Sequence, residues 1–403
     1  MKKKRHPVIS GNARVLRNVN RALILNLIRE KQPISRSRIA QFTGMNKSTV
    51  SNIVAELLAE GLIFEEKSYD PKIGRNPIHL RLQLGRHLVG AINFDVPESY
   101  VAVADLDGSI LQTSPVPSLN RRPEALAAAC MEELLKICSA RNIPALRGVG
   151  ISIAGVSDPE NLTVYYAPRL GWERVDIGAI LRKLCRQDCF FITHNDAKAA
   201  ALAELWFGDK RRNLAHFVYV YIGDGVGAGI VVNKQLLSGA HHAAGEFGHM
   251  TIMEHGELCS CGKHGCWEAY ASNPATVRRY LAGRKENLGE ASQITFAEIL
   301  RASRSGDRHA AAVLKQTGYY IGLGVANILK AIDPEVVVIG GEITEAFDLI
   351  LPEIRSVVRR HSFFGLESRI RIVPSSLKVK PPQLLGAATL AIRELFSDYR
   401  IVR

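Results

Sequence analysis

Between Val19 and Glu60 apolar residues recur at helical spacing in three blocks parted by short polar turns, which predicts three helices. Val19, Leu23, Ile24, Leu27 and Ile28 mark the apolar face of the first. Pro33-Ile34-Ser35 opens the second, with Ser35 as its cap and Ile34 placed to staple onto Ile39. Thr43-Gly44-Met45-Asn46 predicts a tight turn in which Gly44 takes the left-handed backbone angle, Asn46 caps the third helix and Met45 staples onto Val50. The third helix is expected to bury Val50, Ile53, Val54, Leu57 and Leu58. That stripe leaves Lys47, Ser48, Ser51 and Asn52 on the outer face, with Thr49 beside them. After Gly61-Leu62-Ile63 come a charged stretch, a turn at Asp70-Pro71, and Gly74-Arg75-Asn76-Pro77-Ile78-His79-Leu80-Arg81-Leu82. This pattern is a hairpin wing with Arg75 at its tip, so the first segment reads as a winged helix-turn-helix.

From residue 88 onward the pattern alternates between strands and helices. Strands are predicted at 88–94 and 100–105 as a hairpin, then at 148–154, 189–194, twice within 217–232, at 335–340 and at 369–374. Helices are predicted near 123–141, 196–206, 308–331 and 345–360. The strand-turn motif recurs near 90 and 217, which suggests duplicated halves facing a cleft. The expected division is a winged helix-turn-helix over 1–84 and a two-lobed α/β unit over 85–403.

The chain has 403 residues, 47% hydrophobic and 23% charged, an ordinary globular balance with room for two or three cores. Its formal charge of +13 becomes informative once located. Residues 1–90 hold 17 Lys and Arg against 6 Asp and Glu, a surplus of 11, and the remainder holds 35 against 33. A polyanion-binding segment is thus joined to a nearly neutral one of the kind that handles small molecules. The predicted DNA-contacting set is Arg36, Lys47, Ser48, Thr49, Ser51, Asn52 and Arg75, short polar and basic groups suited to base edges and phosphates. No long uncharged apolar run occurs, and Met1-Lys2-Lys3-Lys4-Arg5-His6-Pro7 is not followed by the apolar stretch of a secretory signal, so a soluble, cytoplasmic protein without membrane partners is expected. The cysteines number seven, three of them within eight residues. That argues against a disulfide framework and for one metal cluster plus buried thiols.

The segments Gly223-Asp224-Gly225-Val226-Gly227-Ala228-Gly229, Ala244-Gly245-Glu246-Phe247-Gly248-His249 and Cys259-Ser260-Cys261-Gly262-Lys263-His264-Gly265-Cys266-Trp267-Glu268 closely resemble the ROK family of sugar kinases and repressors. Asn195-Asp196-Ala197-Lys198-Ala199-Ala200-Ala201 and Asp333-Pro334-Glu335-Val336-Val337-Val338-Ile339-Gly340-Gly341 add to the resemblance, which spans about residues 10–395. It implies an α/β actin-like, ribonuclease H-like ATPase fold of two lobes behind the winged helix. Three thiolates, Cys259, Cys261 and Cys266, with one imidazole would complete a tetrahedral zinc site and leave no position for an activated water, so such a zinc is structural. Spacing alone leaves His249, His255 and His264 open as the fourth ligand; the resemblance implies His249, in a loop of about 249–268.

The resemblance further implies that Asn195, Asp196, Glu246, His249 and Glu268 line a monosaccharide site. Fixing the loop fixes both glutamates, and paired charged acceptors suit adjacent hydroxyls. In the family's kinases Asp196 would be the general base, and two glycine-rich turns would cradle the ATP phosphates. Here Asp95 is followed by Val96-Pro97-Glu98-Ser99 in place of Asp-x-Gly-Gly-Thr. Pro97 lacks an N–H, Glu98 is expected to set an anion where phosphate should sit, and Asp224 replaces a threonine in the second turn. Asp196 then reads as a vestigial base and the chain as no enzyme. The leading expectation is a DNA-binding repressor of carbohydrate genes, acting on double-stranded operator DNA as a homodimer or homotetramer and controlled by a monosaccharide or sugar phosphate. The alternatives are a sugar kinase with an accessory DNA-binding module, and a docking platform for a transport or signalling protein. Arg169, in Ala167-Pro168-Arg169-Leu170-Gly171-Trp172, occupies a position where the family often has Asn and either meets an anion or lies in solvent.

Overall fold

A computed structural model describes residues 13–67, 78–185, 188–212, 214–283, 294–363, 365 and 368–397. The chain begins with helices α1 (Ala13–Lys31), α2 (Arg36–Thr43) and α3 (Lys47–Ala59), followed by the antiparallel hairpin of β1 (Ile63–Lys67) and β2 (Ile78–Leu82). Local signals set the boundaries. The Ser35 hydroxyl accepts the Arg38 N–H, Asn46 Oδ1 accepts the Thr49 N–H at 2.8 Å, and Gly44 ends α2 at φ 71°. Ile24, Leu25, Ile28, Ile39, Val50, Val54 and Leu57 are fully buried, Ile53 nearly so, and Leu58 only partly. Ile34 pairs by backbone with Leu80 of β2, so the wing is hydrogen-bonded to the start of α2.

One expectation for α1 is corrected. Val19 and Leu23 are 36% and 47% exposed, and Leu25 is buried in their place. The buried stripe is turned because α1 packs on α12 as well as on α3.

Two lobes follow. Lobe one holds β3 (Val89–Phe94), β4 (Glu98–Ala104), β5 (Ile110–Pro117), α4 (Pro123–Ala140) and β6 (Gly148–Ile153), then a small sheet of β7 (Val156–Asp158), β8 (Thr163–Ala167) and β9 (Trp172–Asp176), then α5 (Ile177–Leu184) and β10 (Phe190–Asn195). After α6 (Asp196–Phe207), lobe two holds β11 (Phe217–Ile222), β12 (Val226–Val232), β13 (Gln235–Leu236), α7 (Glu268–Ala271), α8 (Asn273–Ala282), α9 (Phe296–Arg304), α10 (Arg308–Ile332), β14 (Val336–Gly340), α11 (Phe347–His361) and β15 (Arg371–Pro374), and α12 (Pro382–Ser397) closes the chain.

The two main sheets are ordered β5-β4-β3-β6-β10 and β13-β12-β11-β14-β15. Each lobe's first strand is central, antiparallel to its second and parallel to its fourth, so the predicted duplication is present strand for strand. β5, the β7–β9 sheet, α5, β13, α7, α8, α9 and α12 are additions to what the pattern predicts. This is the two-lobed, actin-like arrangement expected.

The helices that follow the last strand of each sheet cross over. α6 packs on β11 and β12 of lobe two, α12 packs on β3, β6 and β10 of lobe one, and the two helices pack on each other. Their contact is close enough that a Cβ on Gly386 would lie 2.5 Å from the Ala199 carbonyl carbon. One apolar core runs without a break from Ile24, Leu25 and Ile28 of α1 through Leu80 and Leu82 of the wing to Val89, Ala91 and Ala102, and on to Leu384, Ala388, Ile392 and Phe396 of α12. Among the described residues no helix is long and apolar enough to cross a membrane.

Candidate functional site

Along α3, Lys47, Ser48, Ser51 and Asn52 are exposed and Thr49 is half-buried, so the predicted outer face is polar and free of apolar side chains over its first turns. Two of the expected contacts have partners inside the protein. Arg36 is ion-paired with Glu65 of the wing strand, and the Ser48 hydroxyl donates to Asn46 Oδ1 at 2.8 Å. Exposed Ser37 and Arg38 on the first turn of α2 extend the face, and the helical pattern singled out neither. Arg75 lies outside the described residues.

Between the lobes, strand ends and helix starts bring the chemistry together. Asn195 ends β10 and caps α6: its Oδ1 accepts the Lys198 N–H at 3.0 Å and its Nδ2 donates to the Gly155 carbonyl at 3.0 Å. Asp196 is the first residue of α6, and its carboxylate accepts the Ala197 N–H at 2.7 Å. Burial pushes the Asp196 carboxyl up to about 7, Asp95 and Glu246 add to the shift, and the Ala197 N–H and Arg169 oppose it. Glu246 is likewise raised by burial, opposed by Lys198 and His249. Lys198, an unexpected member of the site, is fully buried, and its ammonium donates to the His242 carbonyl at 2.6 Å. It joins α6 of the cleft to the loop that carries Glu246.

A cluster of side chains that could hold a metal ion forms from that loop. The ligand atoms of His249, Cys259, Cys261 and Cys266 all lie within 4.8 Å of one another. Cys261 Sγ is 3.7 Å from Cys266 Sγ, and Cys259 Sγ is 3.7 Å from His249 Nδ1. A tetrahedral site with bonds of about 2.3 Å has edges of about 3.8 Å, so the spacing is that of ligands around one ion. The other two histidines stand apart from this group: His264 Nδ1 is bonded to the Gly256 carbonyl at 2.9 Å, and His255 is exposed. All seven cysteines are free thiols. The loop is tight, since a Cβ on Gly265 at φ 76° would lie 1.6 Å from the Met253 carbonyl oxygen. Trp267, fully buried, anchors it by donating its indole N–H to the Tyr320 carbonyl at 2.7 Å.

Glu268 is bound on both oxygens. Its Oε2 accepts the Val226 N–H at 2.9 Å and its Oε1 accepts the Ser260 hydroxyl at 2.7 Å. It therefore ties the turn at 223–225 to the cysteine loop.

The two turns that would cradle phosphates are Asp95–Pro97 and Gly223–Gly225. The Glu98 carboxylate does not enter this gap as expected: it accepts the Tyr100 hydroxyl at 2.9 Å on the exposed start of β4. The anions present there are Asp95 and Asp224, and Arg169 lies between them. A pocket beside Asp224 is lined by Asn273, Arg278, Thr295, Phe296 and Glu342.

The sequence profile of the ROK family matches residues 89–394, and that of the MarR family matches residues 17–72. The chain is 29% identical over 397 residues to the xylose repressor of Caldicellulosiruptor bescii, covering 96% of this chain and 98% of the relative. It is 27% identical over 393 residues to the N-acetylglucosamine repressor of Escherichia coli O157:H7, covering 96% and 95%. Among solved structures, a ROK family transcriptional regulator described as a homologue of the E. coli MLC protein superposes with a TM-score of 0.82 at 26% identity, covering 95% of this chain and 97% of that one. A ROK family glucokinase from Streptomyces griseus in complex with glucose and AMPPNP superposes with a TM-score of 0.67 at 28% identity, covering 76% and 99%.

Proposed function

The chain belongs to the ROK family, and we propose that it is a transcriptional repressor of carbohydrate genes whose hold on operator DNA is set by a sugar in the interlobe cleft. One observation carries this reading: the apolar core is continuous from α1 of the winged helix through α12 to the strands behind the cleft. A lobe rotation therefore moves α1 with it. In a dimer the two recognition helices must meet half-sites about 34 Å apart, so a small change of lobe angle spoils the fit. The full-length likeness to a xylose repressor and an N-acetylglucosamine repressor supports the same reading. A coupling of about 1–3 kcal/mol between sugar and DNA is the ordinary size for such a device.

On the DNA side, Lys47, Ser48, Thr49, Ser51 and Asn52 enter the major groove, Arg75 meets the backbone or minor groove, and Arg36 contributes once released from Glu65. In the cleft, Asp196 and Glu246 grip hydroxyls. Asn195 and Glu268 hold the cleft's walls, and His249 keeps one ring nitrogen for the sugar while the other faces the metal. His249, Cys259, Cys261 and Cys266 hold a structural zinc that orders the loop and supplies no chemistry of its own. An anisotropy titration of a fluorescent operator fragment with a panel of monosaccharides tests the reading. One sugar is expected to shift binding, and indifference to the whole panel defeats it.

A second reading keeps Asp196 as a working base in a sugar kinase, since a carboxyl near pH 7 suits proton abstraction. The phosphate turns oppose it: Pro97 offers no N–H, and Asp224 and Glu342 present anions beside the gap. Millimolar ATP with any hexose is expected to give no ADP above background, and brisk turnover in a coupled assay would reverse the assignment.

A further inference from the structure

The turn between β8 and β9 belongs to lobe one, yet its arginine meets both lobes. One guanidinium nitrogen of Arg169 donates to the Val96 carbonyl at 2.6 Å and to the Asp224 carboxylate at 2.8 Å, and it lies 3.5 Å from the Asp95 carboxylate. Asp95 and Val96 sit in the turn between β3 and β4, and Asp224 sits in the turn between β11 and β12. By the duplicated strand order these two turns are equivalents, facing each other across the cleft. A single cation thus bridges the gap between them.

The bridge is built rather than incidental. Fully packed Trp172 donates its indole N–H to the Arg121 carbonyl at 2.6 Å, and Arg121 donates in turn to the Arg169 carbonyl at 3.4 Å. The backbone of the turn is therefore held in place before any ligand arrives, and the guanidinium is two-thirds buried.

We propose that Arg169 is a resident cation plugging this gap, so that the cleft accepts an uncharged sugar and rejects the phosphate ester of the same sugar. This rests on the sugar-effector reading above. A phosphate group seated against Asp196 would fall beside Asp95 and Asp224, two carboxylates already sharing one guanidinium. To pair with Arg169 it must displace Asp224 and then remain beside it, an arrangement that adds two negative charges where one cation is committed. A hydroxyl adds none, and it donates to Asp196 or Glu246 at no electrostatic cost. The same bridge draws lobe two toward lobe one without a nucleotide between them.

Calorimetric titration of the zinc-loaded full-length protein with D-xylose, D-glucose and N-acetylglucosamine, beside glucose 6-phosphate and N-acetylglucosamine 6-phosphate, tests it. An uncharged sugar is expected to bind at least about tenfold more tightly than its phosphate ester. In Asp224→Asn, which removes one anion and frees the guanidinium, that ratio is expected to narrow severalfold, with circular dichroism confirming the fold. A phosphate ester that binds more tightly than its parent sugar, or a ratio unmoved in Asp224→Asn, overturns the inference and leaves the effector reading intact. Silence toward both series overturns the effector reading, and this inference with it.

Discussion

The Oε2 of Glu268 accepts the backbone N–H of Val226 at 2.9 Å, and this one bond connects the metal loop to the first residue of β12. Because Cys266 lies two residues earlier, an ion held at the cluster would fix Glu268, and through it the 223–225 turn at the mouth of the cleft. Under the proposed function, such an ion would set the shape of the sugar's surroundings without touching the sugar.

Glu268→Gln keeps the shape of the side chain and removes its charge. Outer contacts of this sort typically alter metal affinity by about 10- to 100-fold, so the variant is expected to surrender zinc to a chromophoric chelator faster than the wild type and to melt earlier. Equal release rates in the two proteins would show that the bond does not reach the metal.

Lys47 and Asn52, both exposed on α3, are expected to fail differently. Lys47→Ala should weaken operator and random DNA alike and lower the slope of log affinity against log salt by about 1. Asn52→Ala should cost about 1–3 kcal/mol on the operator alone and relax the preference at one base pair. Binding curves across a salt series, on operator and scrambled duplexes, separate the two.

Phe396 of α12 is fully buried, and its ring meets that of Trp206 edge-on at 5.7 Å in the core shared with α1. Phe396→Ala is expected to cost about 3–5 kcal/mol of stability. If α1 and α12 form one body, hydrogen exchange should quicken in α1 as well as in α12. Acceleration confined to α12 would mean the winged helix moves independently of the lobes.

Asp196 gives stability a definite pH dependence. Its carboxyl is raised from 3.8 to about 7 by burial and by neighbouring Asp95 and Glu246, so the folded chain keeps a proton that the unfolded chain releases. Below pH 4 both states are protonated and nothing is lost. Stability then falls as pH rises from 4 to 7, and the full loss persists above. Asp196→Asn cannot ionise, so it is expected to be more stable than wild type at pH 8, with the difference shrinking to nothing toward pH 4. A difference independent of pH in paired thermal melts would refute the assignment.

Much of this protein follows from local rules that need only a few neighbouring residues. Ser35, Gly44 and Asn46 end and start helices wherever they fall in such a pattern, the charge surplus marks the winged-helix end, and the cysteine spacing marks the loop that could hold a metal. The duplicated strand motif was legible for the same reason, since each half repeats its own short-range pattern. Other features depend on residues far apart in the chain. Val19 and Leu23 are apolar at helical spacing yet exposed, because α12, some 370 residues later, decides which face of α1 is covered. Glu268 carries the charge of a sugar ligand, and the fold adds a bond that its own segment does not reveal, to the Val226 N–H. Arg169 could as well have lain in solvent; the fold of two lobes brought Asp95 and Asp224 to it. Periodicity and capping are properties of a segment, whereas the partner of a charge or the covered side of a helix is settled by packing, which no segment contains.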